Sequence, residues 1–125
     1  MSPFGFPREE HLKLRERINF LFDEGQRIKA GSLSLIWVAS PWPLERGVQV
    51  LFNAPKKRFR LAVSRNRIKR VLREAWRLER GDFPKVDQPM LLGFLYHGHE
   101  KIELERIRPL MRQALSDLDA ARSAK

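Results

Sequence analysis

The sequence predicts an α+β fold, a sandwich of helices on a small mixed sheet, with elements in the order α-β-β-α-β-α. Three observations predict it. Apolar residues recur at steps of three and four along some stretches, which is the helical period. Other stretches are short, apolar and rich in leucine, β-branched or aromatic residues, with Pro or Gly nearby, which reads as strand. Finally, 125 residues without repeats, low-complexity linkers or a break in composition suit one hydrophobic core. Residues 1–125 are therefore expected to form a single domain, ordered over about 9–120.

The first helix is expected from about Glu9 to Glu24, where Leu14, Ile18, Leu21 and Phe22 keep helical spacing. Pro7 suits its start, Glu9 and Glu10 suit the positive end of its dipole, and Gly25 supplies a stop. Residues 32–40, SLSLIWVAS, read as a strand covered on both faces, ended by Pro41-Trp42-Pro43. Val48 to Ala54 reads as a second strand, and the two together as a hairpin with its loop at 41–47. A helix follows from about Ser64 or Arg65, with Ile68, Val71, Leu72 and Ala75 as its apolar stripe and Gly81 and Pro84 closing it. Pro89 to His97 reads as a buried strand. The last helix, about Glu103 to Ala120, contains Pro109, which requires a late start near Arg108 or a kink. The tail, ARSAK, is expected to fray.

Composition removes several function classes. There is no cysteine, which excludes disulfide scaffolds, thiolate metal sites and cysteine nucleophiles. The N-terminus lacks the basic start and apolar run of a secretory signal. The longest strongly apolar stretch, Met90 to Tyr96, falls far short of the roughly 20 residues that span a bilayer. A soluble, cytoplasmic protein is expected. Side-chain catalysts are equally hard to find: Ser40 and Ser64 have no identifiable base, and no phosphate-cradling glycine loop occurs. His97 and His99 share a strand face at Tyr96-His97-Gly98-His99, but no third ligand accompanies them, so a surface pair is the plainer reading.

What stands out is the distribution of charge. The formal net charge is +10, and residues 56–80 hold eleven Lys/Arg against two Glu, leaving the rest of the chain nearly neutral. Between 56 and 73 there is no acidic residue at all. Such a segment matches a polyanion, because each cation set on a phosphate releases condensed counterions. Arginines outnumber lysines, which favours forked hydrogen bonding to phosphates and base edges. Phe59, between Arg58 and Arg60, is placed to stack an unpaired base. Asn66, Arg70, Arg73 and Arg77 repeat at helical steps on one face, with Arg65 and Lys69 beside them. A membrane-surface helix is the competing reading, but its apolar stripe is modest and has other elements to cover it.

The stretch Ser64 to Arg77, SRNRIKRVLREAWR, resembles the RNR signature of the bacterial ribonuclease P protein subunit family, here Arg65, Asn66, Lys69, Arg70 and Arg73. The likeness extends to VLFNAPKKRFRLAV before the motif, to FLFDEG at the end of the first helix and to the order of elements. One departure is visible: PKKRFR stands where many members have a glycine-containing turn. The resemblance implies a left-handed β-α-β crossover, as in ribosomal protein S5 domain 2-like folds, an exception to the usual hand. It implies an RNA-binding domain that works as the protein component of a ribonucleoprotein endoribonuclease, a hydrolase of tRNA processing. The partners implied are ribonuclease P RNA and precursor tRNA, whose 5′ leader is removed, with no membrane and no obligate protein partner evident. Catalysis would come from the RNA with Mg2+, none being held by the protein alone. Carried over by position, Arg65, Asn66, Arg67, Lys69, Arg70 and Arg73 would contact the catalytic RNA, and Lys56, Lys57, Arg58 and Arg60 would extend that surface. Ile18, Phe22, Ser34 and Ile36 would line a cleft for the single-stranded leader, with Leu35 and Trp37 as the alternative register. Two other readings are a ribosomal-protein-like structural RNA binder and a DNA-binding module; against the latter, strands rather than a helix precede the basic segment.

Overall fold

The computed structural model describes residues 8–81 and 88–123, so Pro7 and Pro84 lie outside it. A 3-10 turn at Arg8–Glu10 leads into α1 (Arg15–Glu24), β1 (Gln26–Ala30), β2 (Leu33–Ala39), β3 (Val48–Asn53), α2 (Ala62–Glu79), β4 (Met90–Tyr96) and α3 (Leu104–Ser123). The four strands form one mixed sheet in the order β1-β2-β4-β3.

The expected hairpin of residues 32–54 does not form. β2 pairs antiparallel with β4, and β3 pairs parallel with β4, so β4 sits between the two strands that precede it. The physical reason lies in burial. Every residue of β4 is buried, as a strand covered on both faces requires, whereas β3 alternates buried with half-buried and tolerates an edge. The connection through Pro41 and Pro43 also supplies no tight turn; Ser40 instead closes on Trp42, accepting from its backbone N–H at 3.0 Å. β3 and β4 are thus the parallel arms of a β-α-β unit with α2 as the crossover.

β1 is the additional element. Its sequence, QRIKA, is short and polar, with Arg27 and Lys29 exposed, the composition that discourages edge-to-edge association. It pairs with β2 through the two-residue turn Gly31-Ser32, and Gly31 takes φ +59°, a conformation that glycine adopts without strain.

The first helix is shorter than its apolar spacing implies. Residues ahead of it are drawn onto the outer edge of β3 instead: His11 bridges Val50, and the Leu12 N–H donates to the Val50 carbonyl at 3.0 Å. Glu10, fully buried, accepts from Arg46 Nε at 3.2 Å and also from Arg80 at the end of α2, which fastens the N-terminal segment to the body. α3 starts at Leu104 and passes through Pro109 without ending. Pro109 and Glu105 are both exposed, so the carbonyl that loses its partner can turn to water. The helix includes Ala121 to Ser123 of the expected frayed tail; residues 124–125 lie outside the described residues.

The register of β2 assigns its faces. Leu33, Leu35 and Trp37 enter the main core with Ile68, Leu72 and Trp76 of α2 and Ile107, Met111 and Leu118 of α3. Ile36 faces the other way, into a smaller cluster with Leu12, Leu21 and Leu91 beneath α1. Residue 25 must be glycine because of space: a Cβ there would overlap the Leu21 carbonyl oxygen and the Ile36 side chain. Its backbone is ordinary extended chain, φ −73° and ψ 150°.

Candidate nucleic-acid interface

The basic segment divides into a loop and a helix. In the loop, Lys56, Lys57, Arg58 and Arg60 are exposed, whereas Phe59 is buried and stacks on Tyr96 with ring centroids 5.9 Å apart. The expectation that Phe59 stacks a base is therefore overturned: the apolar ring gains more by entering the core than by standing between cations. It holds the loop to the end of β4. Tyr96 continues the tie by donating its hydroxyl to the His99 carbonyl at 2.6 Å, and Arg58 Nε donates to the Gly98 carbonyl at 3.0 Å. Burial pushes the Tyr96 phenol above its ordinary pKa, against the smaller opposing effect of Arg58.

In α2, burial of Ile68, Leu72, Ala75 and Trp76 fixes which face turns outward. Asn66, Arg70 and Arg73, at steps of four and three, share an exposed face, with Arg67 also exposed and Lys69 half-buried. Arg65 is different. Its Nη1 donates to the carbonyls of Phe59 at 2.8 Å and Arg60 at 2.9 Å, so it clamps the basic loop against the start of the helix. Among the described residues no carboxylate pairs with Lys56, Lys57, Arg60, Arg67, Lys69, Arg70 or Arg73. Further along the helix, Arg77 pairs with Glu74 and Arg80 with Glu10. The hydrogen bond from Arg77 holds Glu74 below the usual carboxylate range. Uncompensated charge thus lies on the loop and the first three turns of α2.

The opposite face of the sheet carries the second candidate surface. Ile18 and Phe22 lie one turn apart on α1, Ile18 half-buried and Phe22 36% exposed, and Leu14 continues the same stripe at 57% exposed. Ser34 is half-buried on the α1 side of β2. Ile36 is buried under Leu21, so it forms the floor of this surface and offers no contact area of its own. Leu35 and Trp37 belong to the core on the other side. Pairing places Lys29, Ser34, Leu95 and Asn53 in one row across the four strands. Lys29 escapes a sequence reading because β1 itself does, the Gly31-Ser32 turn being the signal that points to it, and Asn53 because its place in this row depends on the pairing of β3 with β4. Beside Phe20, Trp42 makes an edge contact at 5.4 Å and lies 5.3 Å from the Arg17 guanidinium, closing the other flank of α1.

Among the described residues no three His, Asp or Glu side chains converge on a common point. His97 and His99 are exposed, and His99 Nδ1 accepts from the Lys101 N–H at 3.1 Å. Ser40 is buried and engaged with Trp42, so it is not presented as a nucleophile.

The Ribonuclease P family model matches residues 6–119, which takes in both surfaces. The chain belongs to the ribonuclease P protein family. It is 40% identical over 126 residues to the ribonuclease P protein component of Chlorobaculum tepidum, covering 90% of this chain and 81% of the relative. It is 32% identical over 87 residues to that of Edwardsiella ictaluri, covering 70% and 71% respectively. The fold agrees with the RNase P protein from Thermotoga maritima, at a TM-score of 0.64 and 19% identity over 82% of this chain and 91% of that one. It agrees also with the Staphylococcus aureus RNase P protein, at a TM-score of 0.66 and 13% identity over 87% and 94%. As a ribonuclease P protein, the chain is a subunit of a ribonucleoprotein endoribonuclease.

Proposed function

We propose that this chain, as one RNA-binding domain in the cytoplasm, binds ribonuclease P RNA through the basic loop and α2 and the 5′ leader of precursor tRNA through the α1 side of the sheet. The single observation that carries the reading is the run of cations on residues 56–73 with no carboxylate partner among the described residues, facing outward from a buried helix stripe. Lys56, Lys57, Arg58 and Arg60 with Arg67, Lys69, Arg70 and Arg73 screen repulsion between two RNA backbones, Asn66 hydrogen-bonds RNA from the same face, and Arg65 serves by shaping the loop. Ile18, Phe22 and Ser34 contact the leader above Ile36, with Lys29 and Asn53 in reach of its backbone. No described helix is long and apolar enough to cross a membrane.

Ribonuclease P is an Mg2+-dependent enzyme, and the ion supplies Lewis-acid chemistry on the phosphodiester. The described residues of this chain do not fit a metal cage, so their part is electrostatic and positional. The test is to add the purified chain to its cognate ribonuclease P RNA at low Mg2+ and follow precursor-tRNA cleavage. Stimulation that grows with a longer leader, and that Phe22→Ala reduces only for substrates with a leader, is expected. Absence of stimulation would refute the proposal, and loss of leader dependence alone would remove the α1 surface from it.

A further inference from the structure

Where the N-terminal segment meets the edge of β3, a cleft of about 180 Å³ opens between His11, Lys13, β3 from Val50 to Phe52, and Arg73 of α2. A cleft of this size has room for several waters or one phosphate group. Its polar lining is cationic. Lys13 and Arg73 are exposed at its mouth, and neither pairs with a carboxylate among the described residues. Two acids near them in sequence are directed elsewhere: Glu10 is buried against Arg46 and Arg80, and Glu74 is paired to Arg77. The backbone beneath is fixed by the His11–Val50 bridge, so Lys13 is held at one side of the cleft while the α2 core stripe holds Arg73 at the other.

We propose that this cleft is a phosphate seat that takes one backbone phosphodiester of bound RNA, with Lys13 and His11 carrying the α2 interface around the β3 edge onto the N-terminal segment. The inference rests on the reading of α2 as an RNA-binding helix. Lys13 and Arg73 grip the anionic oxygens from two sides, Arg73 with its fork and Lys13 as a mobile point charge.

The test measures affinity of the full chain for ribonuclease P RNA across a KCl series, with Lys13→Ala, Lys13→Arg, Arg70→Ala and, as a distant control, Arg106→Ala. Lys13→Ala is expected to weaken binding about tenfold and to lower the salt slope by about 0.7–0.9, as loss of one phosphate contact does, and Lys13→Arg to restore most of both. Lys13 is exposed, so the change leaves the fold intact. If Arg70→Ala weakens binding but Lys13→Ala matches Arg106→Ala, the seat is refuted while the α2 interface stands. If neither matters, both fall. Titration with inorganic phosphate, followed at the His11 and Leu12 amides, separates the sources. Amide shifts with phosphate but an unchanged RNA salt slope in Lys13→Ala would mean a free-anion site and would overturn the RNA assignment.

Discussion

The guanidinium of Arg65 lies 2.8 Å from the carbonyl oxygen of Phe59, so the first arginine of the RNR motif hydrogen-bonds the loop that precedes it. Arg70, one turn and a fraction further on, has no such partner among the described residues and projects into solvent. Two arginines of one motif therefore have different roles. Arg70→Ala should lower affinity for ribonuclease P RNA and reduce the salt slope by about 0.7–0.9, with no change in amide exchange. Arg65→Ala should weaken binding at least as much and also accelerate exchange in residues 56–60, because the loop carrying four cations loses its clamp. Equal exchange profiles for the two variants would contradict this division.

Phe59 belongs to the core. Phe59→Ala should cost about 3 kcal/mol of stability, the range for removing a buried ring, measured by urea denaturation. Phe59→Leu should recover much of the stability and with it RNA affinity. A variant with native stability but lost RNA affinity would restore the base-stacking role.

The close approach of α1 to the sheet depends on glycines at 25 and 93. A Cβ on Gly93 would come within 2.9 Å of Ile36 Cγ2 and 3.2 Å of Leu21 Cδ2, and one on Gly25 would overlap the same pair of residues. Either substitution by alanine should cost about 1–3 kcal/mol as overpacking. Gly93→Ala should also lower affinity for leader-bearing substrate more than for a leaderless one, since it lifts Ile18 and Phe22 from their floor.

Glu79 at the end of α2 accepts from Arg112 Nε at 2.9 Å and from Arg108 Nε at 2.6 Å, joining α2 to α3. Hydrogen bonds from Arg112 and then Arg108 hold its carboxyl below the usual carboxylate range, against a smaller cost of burial. A depressed carboxylate contributes stability that is full above its unfolded pKa of about 4.3 and is lost as pH falls through the lower folded value. Glu79→Gln should therefore lower Tm at pH 7 by about 3 °C, the modest scale of partly exposed pairs. The gap to the parent should narrow as pH is lowered below about 4. A constant gap from pH 7 to pH 3 would exclude the linkage.

How much could be read in advance follows the range of each interaction. The helix of Ile68, Leu72 and Ala75 and the strand of Met90 to Tyr96 were legible because their patterns are local and strong. The pairing of β3 with β4 was not, because it depends on a partner some forty residues later. β1 was missed for its polarity, and residues 11–13 because backbone pairing with Val50 overrides helical spacing. Within the site, exposure of Arg67, Arg70 and Arg73 followed from the apolar stripe opposite them. The burial of Phe59 did not, because Tyr96, its stacking partner, is thirty-seven residues away.

The place of β4 between β2 and β3 has a consequence for biosynthesis. On the ribosome, β3 and the whole of α2 emerge before the strand on which β3 must pair. Until Met90 to Tyr96 have left the exit tunnel, only the β1–β2 hairpin can have formed ahead of the basic stretch, and the strand on which β3 pairs is missing, a non-local closure of the kind that slows folding. The basic segment of residues 56–73 thus emerges with no acidic residue of its own before the strand that completes its β-α-β unit.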